Sequence, residues 1–120
     1  MSPVPATSDK TNILHGTLAL MVLRTLDVLG PMHGYGIGRR IEQVSQGTLA
    51  LNQGTLYPAL LQLQQAGWIK GKWGLSETGR KVKVYAITPA GRKQLSAESE
   101  KWRRIAGVIE RFVEPVKGTS

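Results

Sequence analysis

Few residues in this 120-residue chain are of the kind that make or break covalent bonds, and those few are scattered. There is no cysteine, which removes thiol nucleophiles, disulfides and thiolate metal sites. The two histidines, His15 and His33, have no carboxylate or cysteine at ligand spacing, so no metal centre is expected, and His33 reads as a cap or a packing residue. No serine, histidine and acid are grouped for nucleophilic catalysis. The one glycine cluster, Gly34-Tyr35-Gly36-Ile37-Gly38, lacks the preceding strand that a dinucleotide fingerprint needs. Neither an enzyme nor a cofactor is expected. The side chains that remain are suited to binding.

Three groups of them stand out. In the first, Asn52 to Pro58 opens a helix with residues that weaken helices: Gly54 costs about 1 kcal/mol in a helix interior, Thr55 is β-branched, and Pro58 lacks a donor. Such residues suit an exposed helix tip lying close to a ligand. At that tip Gln53 can pair bidentately with adenine, and Thr55 can offer its methyl group to thymine or act as a cap alone. Pro58 would add contact without a hydrogen bond, and Gln62, one turn on, could reach a phosphate backbone. In the second group, residues 70–83 hold Lys70, Lys72, Arg80, Lys81 and Lys83 against a single acid, Glu77, in a chain of net charge +8. That bias points to a polyanion, although lysines on a hairpin can also guard a sheet edge against aggregation. A membrane surface would call for basic charge on an amphipathic helix, and here the densest run lies on a hairpin.

The third group is a heptad seam, Leu95, Trp102 and Ile109, interleaved with Ile105 and Phe112 and interrupted by Glu98. It describes a pairing helix, and these five apolar residues are the expected dimer interface. Two-fold pairing would bring Trp102 to its symmetry mate, where two flat rings could sandwich an aromatic molecule or simply pack. Trp102 and Ile105, with Leu14, Leu18 and Met21 from the first helix, are the candidate effector-binding set.

These groups need elements to position them. Residues 13–29 are a long apolar helix stopped at Gly30-Pro31. Ile37, Ile41 and Val44 mark a second helix over residues 33–45, whose three glycines allow another backbone to come close. A third helix runs from Gln53 to Ala66 and ends at Gly67. The period then changes to two, over Trp68–Trp73 and Lys81–Ile87. Trp68, Lys70 and Lys72 fall on one face with Ile69 and Trp73 on the other, and Lys81 and Lys83 lie opposite Val82 and Val84. A seven-residue turn from Gly74 to Arg80 makes a basic, mobile tip. Thr88-Pro89 starts a last helix that reaches about Val113. The fold class expected is mainly α (α+β): a winged helix-turn-helix DNA-binding domain over 13–88, whose third helix enters the major groove, and a C-terminal dimerisation helix over 89–114. A flexible arm (1–12) and a frayed tail (115–120) complete the chain. A winged-helix module for protein or RNA contact, without specific operator binding, is the alternative. No twenty-residue apolar run or signal-like start is present, which suits a cytoplasmic, nucleoid-associated protein without a membrane partner.

The stretches LHGTLALMVLRTLDVLGPMHGYGIGRRIEQ, NQGTLYPALLQLQQAGWIKGKW and GRKVKVYAITPAGRKQL resemble the PadR family of bacterial transcriptional regulators, in its smaller subtype with one C-terminal helix. The resemblance runs from about residue 13 to 112. It implies a homodimeric, ligand-responsive repressor that binds double-stranded DNA and is released by a small aromatic or lipophilic effector. It implies a dimer built from the C-terminal and first helices, Tyr35 and Tyr57 on the phosphate backbone, and a tryptophan at the position of Trp102 that can line a drug pocket; Tyr57 could otherwise be a core residue. Two stretches depart from the family pattern. KVKVY replaces a more arginine-rich strand with paired tyrosines, and LQLQQAG replaces a helix end with Arg and Glu.

Overall fold

The computed structural model describes residues 6–114, with side chains from Gly16 onward. Four helices and three short strands follow one another: α1 (Ala6–Leu29), β1 (Met32–His33), α2 (Gly34–Val44), α3 (Gln53–Gln65), β2 (Ile69–Leu75), β3 (Lys81–Ile87) and α4 (Pro89–Val113). The sheet is antiparallel in the order β1-β3-β2.

Local chemistry sets most of these boundaries. Asn52 is extended, and its Oδ1 accepts the Thr55 N–H at 3.0 Å, so α3 starts at Gln53. Gly67, at φ +82°, takes the left-handed position that ends it. Thr88 caps α4 by accepting the Gly91 N–H at 3.0 Å while its hydroxyl donates to the Gly67 carbonyl at 2.7 Å. The Thr88 N–H also binds the Trp68 carbonyl at 3.0 Å. One residue thereby joins the end of α3, the start of β2 and the start of α4. Gly91 completes the join, because a Cβ there would overlap the Trp68 carbonyl oxygen and come within 2.8 Å of Ile87 Cγ1. Asp27 of α1 adds an exposed tether to α4, 3.1 Å from Arg92 Nε.

The core lies where α1, α2 and α3 meet the inner face of the sheet, around Leu18, Val22, Leu26, Ile37, Leu60 and Ile69. Tyr85, Ile87 and Leu95 close it from β3 and α4. Helix α4 continues well beyond this core, and the radius of gyration is 17.1 Å, against about 14 Å for a compact chain of this length.

Four expectations need correction. Helix α1 begins at Ala6, so residues 6–12 belong to it rather than to an arm; no glycine or proline interrupts that stretch. Residues 1–5 and the expected frayed tail at 115–120 lie outside the described residues. Strand β2 runs on through Gly74 and Leu75, which pair with Val82 and Lys81. The turn is therefore five residues, with the Ser76 N–H bound to the Arg80 carbonyl at 2.8 Å and Ser76 Oγ accepting the Arg80 N–H at 3.1 Å. Trp68 is not on the lysine face. Its N–H bonds the Leu63 carbonyl at 3.0 Å, in the turn before the strand, and its half-buried ring packs on the core. Strand β1 was not expected at all; two residues are too few to show an alternation.

Candidate nucleic-acid interface and effector groove

The tip of α3 is exposed where its helix is weakest. Gln53, Gly54, Tyr57, Pro58 and Gln62 are all open to solvent, while Leu56, Ala59, Leu60 and Leu63 point into the core. Thr55 is half-buried; Asn52 supplies the cap, which leaves the Thr55 side chain free of that task. Pro58 lies in the second turn and cannot donate to the Gly54 carbonyl. Both residues are at the surface, where a carbonyl without its helical donor costs little.

Tyr57 is 41% exposed, which excludes the core alternative. Its ring lies against Gly34, where an added Cβ would sit 3.1 Å from the phenol oxygen. That close approach is what the glycine at the start of α2 permits. Tyr35 stands nearby, 60% exposed, its hydroxyl 3.5 Å from Arg39 Nη1. His33 fixes this corner by accepting the Gly36 N–H on Nδ1 at 3.0 Å, so it is a cap, and its ring stacks beside Tyr35. Between α2 and α3 a notch of about 560 Å³ opens, lined by Tyr35, Arg39, Gln43, Asn52, Gln53 and Tyr57. Of the two arginines on α2 that the sequence offers beside Tyr35, Arg39 lines this notch; Gln43 and Asn52 line it too, and helical spacing from Tyr35 could have signalled Gln43.

The register of the wing divides its cations. Direct partners share a face in an antiparallel pair, so Lys81, Lys83, Tyr85 and Ile87 lie with Leu75, Trp73, Gly71 and Ile69 on the core side. Lys70 and Lys72 lie with Ala86 and Val84 on the other side. Arg80 is exposed at the tip. The core-side face is also the side of α3, since Ile69 and Tyr85 share the buried core with Leu56, Leu60 and Leu63; burial raises the Tyr85 pKa above its ordinary value, and the nearby Tyr57 hydroxyl adds to this.

A second site lies between α1, α2 and α4. An apolar groove of about 830 Å³ has Leu20, Met21, Val28, Val44 and Trp102 on its walls, with Arg40 and Arg103 among its cations. The groove includes Trp102 and Met21 from the expected effector set. Leu18 does not line it, because it is fully buried on the inner side of α1. In so apolar a helix, the sequence cannot separate the face that meets the core from the next face round. Ile105 also lies outside the groove, 38% exposed on α4, and the Leu14 side chain lies outside the described residues. Of the expected dimer residues, Leu95 is buried within the fold, whereas Ile109 and Phe112 are 50% and 84% exposed.

Three helices with a β-wing, and an exposed polar helix tip beside that wing, define a winged helix-turn-helix protein of the kind that meets duplex DNA. Comparison with known proteins agrees. The chain matches the transcriptional regulator PadR-like family over residues 22–97, and it belongs to that family. It resembles the structure of a transcriptional regulator from Clostridium thermocellum, 30% identical, with a TM-score of 0.76 over 86% of this chain and 99% of that one. A PadR-like transcriptional regulator from Bacillus cereus shares the fold at 24% identity and a TM-score of 0.74, over 88% of this chain and 99% of that one. An uncharacterized 37.1 kDa protein in transposon TN4556 of Streptomyces fradiae is 40% identical over 67% of this chain, which spans only 21% of that relative's length. The family and its structural neighbours are transcriptional regulators, not enzymes. Among the described residues, no helix is long and apolar enough to cross a membrane.

Proposed function

We propose that the chain is a cytoplasmic, ligand-responsive repressor that binds a palindromic operator as a homodimer. The observation that carries this reading is the groove at Trp102. Its walls come from α1 and α4, the expected pairing helices, and also from Arg40, Ile41 and Val44 of α2, which packs beside the recognition helix α3. A small aromatic effector wedged there bears on both the pairing half and the DNA-binding half. Such an occupant changes the angle between α4 and the helix-turn-helix, and so the spacing of the two α3 tips in a dimer. Coupling of this kind is worth about 1–3 kcal/mol. Pairing itself is supported by the far end of α4, where Ile109, Phe112 and Val113 are too exposed and too apolar for a helix that meets only water. In a two-fold dimer, the two α3 tips address half-sites about one helical turn apart.

At each tip, Gln53 and Thr55 face base edges, while Tyr35, Tyr57 and Gln62 reach the phosphate backbone with Pro58 in van der Waals contact. Lys70, Lys72, Arg80, Lys81 and Lys83 supply cations from the wing. The test is a titration of phenolic and flavin-like compounds into the DNA complex of the Trp73→Phe variant, which removes the wing tryptophan from the signal, following tryptophan emission and DNA release together. Emission and release should change in step for at least one compound. A complex that survives the whole panel with unchanged emission would leave Trp102 as a packing residue only, and a chain that forms no specific complex would end the repressor reading.

A further inference from the structure

Trp73 and Leu75 are large apolar side chains that lie outside the core. They are 62% and 74% exposed, on a strand otherwise made of Lys, Gly and the buried Ile69. Both follow Ile69 at two-residue steps, on the face that packs against the core, and the strand outruns the core after Gly71. The register sets Lys83 directly opposite Trp73, and Lys81 opposite Leu75. The Lys81 ammonium lies 5.3 Å from the Trp73 ring centre. The Lys83 stem crosses Gly71, where an added Cβ would meet its Cε at 2.6 Å, and its ammonium lies 6.0 Å from the Tyr85 ring. The result is a narrow apolar strip with a cation on each of its facing positions, on the α3 side of the wing.

Two side chains are too small an area for a stable protein interface. An apolar wedge bordered by ammonium groups has the complementary form for the minor groove, where the wedge meets sugars and base edges while the cations meet the flanking phosphates. We propose that Trp73 and Leu75 form the apolar contact of the wing with the DNA minor groove, with Trp73 pressed against or between base pairs and Lys81 and Lys83 on the adjoining phosphates. On binding, Lys81 exchanges the Trp73 ring for a phosphate, which frees the ring face. A contact that partly opens a base step favours flexible pyrimidine–purine steps, so the strip adds shape-based selectivity beyond what α3 reads. This rests on the reading of the chain as an operator-binding protein.

The experiment uses a duplex that the protein itself selects from a random pool, carrying a dye at each end. Affinity across a salt series and end-to-end distance are measured for the wild type and for Trp73→Ala, Trp73→Phe, Leu75→Ser and Lys81→Ala. Trp73→Ala should weaken binding about tenfold, as loss of one base–aromatic contact does. It should leave the salt slope unchanged and relax the bend in the duplex, while Trp73→Phe keeps most of both. Lys81→Ala should instead lower the slope by about 0.9. Melting temperatures should stay near wild type, since both apolar side chains are exposed. Intact wild-type binding with unchanged affinity and bend in Trp73→Ala overturns the wedge alone. A Trp73→Ala loss that appears wholly in the salt slope also overturns it, because Trp73 would then only hold Lys81. An altered oligomeric state of Trp73→Ala would assign the strip to a second copy and likewise overturn the proposal. A wild-type chain that selects no duplex removes the operator reading and this proposal together.

Discussion

Gly91→Ala tests the join between the recognition helix, the wing and α4. The alanine methyl would overlap the Trp68 carbonyl oxygen and press on Ile87 Cγ1. Overpacked sites relieve such contacts by shifting side chains, at about 1–3 kcal/mol. Here the obstructing atom is backbone, and it is held in place as the acceptor of the Thr88 N–H. Movement of that carbonyl would also disturb the Thr88 hydroxyl, which bonds Gly67 and caps the helix. The cost therefore belongs at the upper end, about 3 kcal/mol, which lowers the melting temperature of a domain this size by roughly 10–20 °C. Gly107→Ala is the matched control. It lies in the same helix, on the side away from the Trp102–Ile109 seam, and a Cβ there meets nothing within 4 Å. Removing glycine from a helix interior stabilises by about 0.5–1 kcal/mol, so this variant should melt slightly above wild type. Thermal melts followed by circular dichroism read both. Gly91→Ala melting with the wild type would refute the rigid join.

Three further outcomes follow from the same geometry. Lys81→Ala with Lys83→Ala should flatten the salt dependence of DNA binding by up to about two log–log units, and Lys70→Ala with Lys72→Ala by clearly less; equal losses would mean that the hairpin stands edge-on with both faces against phosphate. Tyr85 is held neutral by burial, its pKa raised. The stability this contributes is complete below about pH 10 and is lost as pH climbs through the raised value, so Tyr85→Phe should unfold less readily than wild type in alkaline melts. Ile109→Glu with Phe112→Glu should shift the protein to monomer in sedimentation while leaving its melting cooperative, since neither side chain belongs to the core. A variant that remains dimeric would move the interface off α4.

What was legible in the sequence was whatever short-range chemistry decides. Asn52 and Thr88 declared two helix starts, Gly67 declared an end, and the change of period declared the wing, because caps, turns and alternation depend on neighbours a few residues apart. What was illegible depends on which groups pair and pack once the chain is folded, which residue type alone does not decide. The reach of β2 to Leu75 follows from pairing with Lys81, and the withdrawal of Trp68 from the strand follows from its bond to Leu63. The faces of α1 could not be told apart, since Leu18 and Met21 are equally apolar and only the packing sends one to the core and the other to the groove. For the site, the residues of the α3 tip were visible by type. The division of the wing lysines between two faces was implicit in their spacing, but had no meaning until the register showed which face is shared with α3.

The central claim, a two-fold operator-binding regulator, is tested most directly by selecting bound DNA from a random duplex pool with this chain. The expected result is enrichment of an inverted repeat whose half-site centres lie about 10 base pairs apart. Recovered DNA with no shared motif, or a single unrepeated half-site bound by a monomer, would contradict it.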